Sequence, residues 1–201
     1  MRDLAVLRAM EAVSRACFVS PLYAGLAARD MALPIACGQT VPEPLFVARM
    51  MAGSMLRKDM RVLVIGVGSG YATAVLSHLV RHVVAVDRFK TLASEAEARL
   101  GSLAIENVEV AWADGLQVRV GEPFDRILLF AVADPLPESL WPHLAKDGAI
   151  VHARRMTDGQ GDVPARQVLI RTSLYTDGLS RDAVICPARL SPLLPGLSEV
   201  L

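Results

Sequence analysis

The chain has 201 residues, 53% of them hydrophobic, with 21 basic and 21 acidic side chains. That length suits one domain with a full core, and the apolar content excludes a disordered chain. Zero formal net charge leaves no nucleic-acid footprint, and no apolar run approaches the roughly 20 residues of a membrane helix.

Arg2, Asp3, Arg8 and Glu11 interrupt any apolar segment of a secretion signal. Cys17, Cys37 and Cys186 are far apart and form no C-x-x-C. They are expected to be buried, reduced thiols of a cytoplasmic protein. His78, His82, His143 and His152 have no metal-ligand spacing and are expected to be surface or packing residues, so no metal is expected.

Residues 4–16 place Leu4, Leu7, Met10 and Val13 at helical spacing. Phe18 to Tyr23 follows with Pro21, then the small residues 24–28. Residues 30–35 are expected to be extended, because Pro34 holds Leu33 out of the helical region. Pro42 and Pro44 stiffen the loop 37–44. Residues 45–56 read as a helix with Pro44 near its first turn, and Met50, Met51 and Met55 as core filler.

The centre of the chain is Arg61-Val62-Leu63-Val64-Ile65, a strand that runs into Gly66-Val67-Gly68-Ser69-Gly70-Tyr71 and then a helix. Glycine permits positive φ and close approach of a ligand to the main chain. A second apolar run, His82 to Val86, ends in Asp87, 21 positions after Gly66. A carboxylate at about that separation grips a ribose diol. The plain alternative is a packed βαβ unit in which Asp87 merely caps the next helix. A dinucleotide site wants a small residue where Tyr71 stands, so Tyr71 favours S-adenosylmethionine over NAD or FAD.

Residues 91–103 read as a helix. Val108 to Trp112 reads as a strand ending at Asp114-Gly115, either a second acid on the same rim or a simple turn. A strand over 124–130, a loop over 131–135, a helix over 137–144 and a strand over 148–152 follow. A polar turn over 156–164 precedes an antiparallel hairpin of 166–173 with 179–187. The tail, 192–201, carries two prolines and is expected to be loosely ordered.

Several of these pieces, in one order, resemble the protein-L-isoaspartate O-methyltransferases, a branch of the Rossmann-like S-adenosylmethionine-dependent methyltransferases. They are Val13-Ser14-Arg15-Ala16-Cys17-Phe18-Val19, Ala32-Leu33-Pro34-Ile35 with Gly38-Gln39-Thr40, Val64 to Tyr71, and Asp114-Gly115. Phe124-Asp125, Pro137 and Lys146-Asp147-Gly148 fall in the same register. The resemblance implies an α/β fold: a mostly parallel twisted sheet of about seven strands, helices on both faces and a closing antiparallel pair. It implies one domain over 1–201, with 1–56 covering the site, 57–190 as the core and 191–201 as a tail.

The resemblance also implies an activity: methyl transfer from S-adenosylmethionine to the carboxylate of an isoaspartyl residue in damaged protein. Gly66, Gly68, Ser69, Gly70, Tyr71, Asp87, Asp114 and Gly115 would hold the cofactor. Gln39 and Glu43 would lie on the substrate side.

The chain departs from the family pattern at named positions. The active-site serine of the family is Pro42 here, which has neither a hydroxyl nor an N–H; Thr40 is the hydroxyl that could stand in for it. Glu43 adds a negative charge beside the expected anionic substrate. At about 4 Å and an effective dielectric of 20, like charges repel by about 4 kcal/mol. Val64 stands where the family carries a glutamate that helps hold the cofactor, and Ala28-Arg29 stand where it carries a tyrosine. On these residues two further readings stay open: a methyltransferase with another acceptor, including a small molecule, and a binding or regulatory module that keeps the fold.

Overall fold

The computed structural model describes residues 3–118, 121–156, 166–174 and 180–198. The first helix, α1 (Leu4–Ala12), is capped by Asp3, whose carboxylate accepts from the N–H groups of Ala5 and Val6. This satisfies two of the donors that a helix start leaves free. Short 3-10 turns cover Arg15–Phe18 and Pro21–Leu26. Two-residue strands β1 (Leu33–Pro34) and β2 (Thr40–Val41) then pair antiparallel and fold the 33–41 segment into a hairpin. Helix α2 (Pro44–Gly53) begins on Pro44 and buries Phe46, Val47, Met50 and Met51.

The core alternates strand and helix: β3 (Arg61–Ile65), α3 (Tyr71–Ser77), β4 (His82–Asp87), α4 (Lys90–Ser102) and β5 (Val108–Trp112). Then come β6 (Phe124–Val132), a 3-10 turn (Glu138–His143) and β7 (Leu144–Met156), followed by β8 (Arg166–Leu174) and β9 (Ser180–Ala188). The seven-stranded sheet has the order β5-β4-β3-β6-β7-β8-β9. The first five of these strands are parallel, and β8 and β9 close the sheet antiparallel.

Strand β3 is buried on both sides, as an interior parallel strand must be. Its alternation divides the core. Val62 and Val64 face one cluster, which packs under α1, α2, α3 and α4. Leu63 and Ile65 face the other, closed by Leu140 of the 3-10 turn and by Leu193. Helical segments therefore cover both faces. The chain leaves β3 toward β4 on one side, and β6 lies on the other. That reversal opens a crevice beyond the carboxyl ends of the strands, where open α/β sheets bind ligands.

The observed elements follow the sequence reading closely, with differences that have physical causes. The expected helix over 137–144 is a single 3-10 stretch, with Pro142 inside it. Met55 is not core filler: it lies past the end of α2 with φ 51° and is 60% exposed. Of the three cysteines Cys186 is buried, but Cys17 is exposed and Cys37 half-buried. The tail is ordered over 192–198, because its backbone finds partners on the strand ends: Leu193 donates to the Val132 carbonyl, and Ser198 to that of Arg88. Of the expected polar turn over 156–164, all but Met156 lies outside the described residues, as do 199–201 of the tail.

Candidate active site

The crevice holds a cavity of about 630 Å³, within the range of small-molecule sites. Its floor is the glycine turn after β3. Gly66, Gly68 and Gly70 all have positive φ, which a side-chain-bearing residue adopts only with strain. The turn is tied to β4: Gly66 and Val67 donate to the Val86 carbonyl at 2.9 and 3.1 Å.

Asp87 ends β4 and completes the floor. Its Oδ2 accepts from the Gly68 N–H at 2.9 Å and its Oδ1 from the Phe89 N–H at 3.0 Å. The carboxylate thus braces the turn and still has lone pairs for ligand hydroxyls. Asp87 is 5% exposed. Burial pushes its carboxyl above the ordinary range, against the opposing N–H groups of Phe89, Gly68 and Arg88.

One wall is the hairpin loop, with Gln39, Thr40, Val41, Pro42 and Glu43 lining the cavity. Arg15 sets its shape. The Arg15 side chain is buried and donates to five carbonyls: Ala27 (3.1 Å) and Arg29 (3.4 Å) through Nη1, Met31 (2.9 Å), Val41 (3.2 Å) and Pro42 (3.0 Å) through Nη2. Its guanidinium also stacks on Tyr71, 5.9 Å from the ring centroid, a favourable cation–π placement.

The opposite wall comes from the segment after β9. Arg189 to Leu194 line the cavity. Gln167 holds this segment by receiving the Leu190 N–H and donating back to its carbonyl, at 2.7 and 3.2 Å. Ser191 accepts from Val132 N–H at 2.8 Å and donates through its hydroxyl to Gln39 Oε1 at 3.3 Å. The last contact joins the two walls. Farther on, Arg88 donates to the carbonyls of Gly196 and Pro195, and Asp114 accepts from the Gly196 N–H at 2.8 Å.

The structure brings together Gln39, Thr40, Pro42, Glu43, Gly66, Gly68, Ser69, Tyr71, Asp87 and Gly115 around one cavity. Glu43 faces it rather than bulk solvent alone, and is half-buried. Gly70 and Asp114 are not in the lining. Gly70 starts α3 where a Cβ would stand 3.3 Å from that of Ala96. Asp114 is spent on Leu116 N–H, the Gln117 amide and the tail. Burial alone would raise its carboxyl, but those donors and Arg88 hold it below the ordinary range. Val64 is 1% exposed and points into the helix-covered cluster. Gly115 is sterically required, since a Cβ there would overlap the Ile65 side chain.

Residues that the sequence reading did not single out also line the cavity, notably Phe89, Leu92, Phe130 and Arg189. Phe89 stands two positions after the acid, which is a usable signal. Arg189 follows the last strand and carries no motif. Among the described residues no group of three or more His, Cys, Asp or Glu could hold a metal, and no helix is long and apolar enough to cross a membrane.

The sequence profile of the protein-L-isoaspartate(D-aspartate) O-methyltransferase family matches residues 1–160. The chain belongs to this family. It is 46% identical over 200 residues to the protein-L-isoaspartate O-methyltransferase 2 of Rhodopseudomonas palustris strain HaA2, covering 99% of this chain and 89% of that one. The family enzyme of Xanthobacter autotrophicus is 42% identical over 202 residues, covering 100% and 89%. Among solved structures, a family protein from Plasmodium falciparum in complex with S-adenosyl-L-homocysteine superposes with a TM-score of 0.80 at 21% identity, covering 96% of this chain and 92% of that chain. A second structure, a protein-L-isoaspartate O-methyltransferase, gives 0.82 at 24%, covering 97% and 62%. At these identities the two structures speak to the isoaspartate methyltransferase fold.

Proposed function

We propose that this chain is an S-adenosylmethionine-dependent methyltransferase that esterifies the isoaspartyl carboxylate of damaged protein. The observation that carries the reading is the meeting of two walls over one floor. The Gln39–Glu43 loop and the Arg189–Leu194 segment enclose the glycine turn and Asp87, at the reversal of strand order.

Asp87 would accept the ribose hydroxyls on the lone pairs that Gly68 and Phe89 leave free. Gly66, Gly68 and Ser69 would let the nucleoside lie against the main chain, while the half-buried Phe89 would offer apolar surface to its base. When bound, S-adenosylmethionine would supply a sulfonium methyl for a carboxylate oxygen, the carbon–sulfur electron pair returning to sulfur and the products being a methyl ester and S-adenosylhomocysteine. No proton moves, because a carboxylate with a reference pKa of about 4 is already ionised. The protein therefore needs no general base, and Pro42 is compatible with turnover. What the chain must do is align the acceptor and exclude water, an effect worth about 7–11 kcal/mol. Arg15 fixes the loop for that task, and Thr40 presents the hydroxyl nearest in sequence to Pro42. The three free cysteines fit a reaction carried out in the cytoplasm.

The test is mass analysis of two peptides differing only in an isoaspartyl or aspartyl linkage, incubated with enzyme and S-adenosylmethionine. The isoaspartyl peptide gains one methyl and its twin does not. No methylation of either at high enzyme concentration sinks the proposal.

A further inference from the structure

Four charged residues are among those lining the cavity: Glu43 and Asp87, Arg88 and Arg189. Three of the four have tasks. Asp87 braces the glycine turn. Arg88 is turned to the tail carbonyls and packs on the Phe89 ring, 5.2 Å from its centroid. Glu43 precedes the first turn of α2 and sits close enough to Arg15 to favour its charged form. Arg189 is exposed and, among the described residues, makes no ion pair.

Resting on the proposed methyl transfer to an isoaspartyl carboxylate, we infer that Arg189 is the cation that receives the anionic acceptor and sets its specificity. The need is physical. An acceptor carboxylate must enter a cavity that already carries Glu43, and a hydroxyl such as Thr40 cannot offset a like charge. A guanidinium can, with a planar fork that matches a carboxylate.

The backbone around Arg189 is held for this. Gln167 grips Leu190 from both sides of its peptide, and the Ser191 hydroxyl reaches Gln39 in the facing wall. Arg189 lies in the cavity wall two residues before Ser191, whose hydroxyl meets Gln39 of the facing loop. An exposed residue of the cavity wall suits a group that meets a macromolecular acceptor. Being exposed and free of ion pairs among the described residues, it can be replaced at little cost to folding.

The experiment is steady-state kinetics of Arg189→Met, Arg189→Gln and Arg189→Lys on an isoaspartyl peptide, with calorimetric titration of S-adenosylhomocysteine on each. Arg189→Met and Arg189→Gln raise KM for the peptide about 10-fold or more, the scale of a lost charged hydrogen bond. The nucleoside Kd stays within twofold. Arg189→Lys recovers part of the loss, and added salt raises KM more in the wild type than in Arg189→Met. An unchanged peptide KM in both neutral variants overturns the inference while leaving the methyltransferase reading intact. A loss confined to nucleoside binding overturns it too, by moving Arg189 to the cofactor. A wild-type protein without isoaspartyl turnover overturns the functional reading, and this inference with it.

Discussion

The Arg15 guanidinium donates through Nη2 to the carbonyl of Pro42 at 3.0 Å. Twenty-seven positions separate the two residues, and the same side chain reaches four other carbonyls between Ala27 and Val41. A buried charge with no carboxylate partner is costly unless dipoles solvate it. Here the loop carbonyls do so, and in return the loop takes one shape. Replacing Arg15 by Met strands those carbonyls and should destabilise the protein by about 3 kcal/mol, since each buried unsatisfied group costs roughly 1–3. Arg15→Lys keeps a charge but loses the fork, and should fall between. Urea unfolding measures both, and limited proteolysis should cut both variants first within 27–43.

Thr40 and Glu43 should move acceptor kinetics in opposite directions. Both line the cavity. Thr40→Val removes a hydroxyl and should lower kcat/KM for an isoaspartyl peptide about 10-fold, the worth of one hydrogen bond to a charged group. Glu43→Gln removes a repelling charge and should lower peptide KM several-fold. S-adenosylhomocysteine affinity should change in neither.

Nucleoside affinity should rise with pH through the titration of Asp87. Burial raises this carboxyl above its ordinary value of 3.8, so in the free protein the protonated form persists to a higher pH than in an exposed carboxyl. Ribose hydroxyls donate to the charged form, so binding weakens as the pH falls through the raised value and levels off above it. The stability linkage has the opposite sign. The Asp87 contribution is complete below 3.8 and is lost as pH rises through the raised value. Calorimetric titrations from pH 4.5 to 8 check the binding arm, and Asp87→Asn should flatten it.

Truncation after Leu190 should harm both wall and floor. It removes the Ser191 carbonyl that receives Val132 N–H and the Gly196 groups that meet Arg88 and Asp114. Three lost contacts at about 1 kcal/mol each should lower the melting temperature by several degrees. Nucleoside Kd should rise about 10-fold as the cavity opens. A truncated protein that binds as tightly as the full chain would show that the tail forms no part of the site.

The central βαβ unit was legible in the sequence because its signals are local. Apolar runs, the glycine turn and Asp87 lie within residues 61–87 and agree with one another. The Gln39–Glu43 loop could be placed at the site by family resemblance, but not its shape, since Arg15 builds that from carbonyls spread over the 27–42 stretch. Asp114 illustrates a local signal with two readings: its Leu116 contact is the turn that the residue pair announces, and its Gly196 contact is not visible from any spacing. The tail was the largest misreading. Prolines and a terminal position suggest looseness, yet Ser191 and Leu193 bond with Val132 on β6. Val64, the position where the resemblance implies a glutamate, packs in the helix-covered cluster, on the opposite face of β3 from Leu63 and Ile65.

The most direct measurement is calorimetric titration of S-adenosylhomocysteine into the wild-type protein and Asp87→Asn. The wild type should show one site per chain, and the variant should bind at least about 100-fold more weakly, as two hydroxyls lose a charged acceptor. Equal affinity in the two proteins, or no binding by the wild type, would contradict the assignment of this cavity to the adenosyl nucleoside.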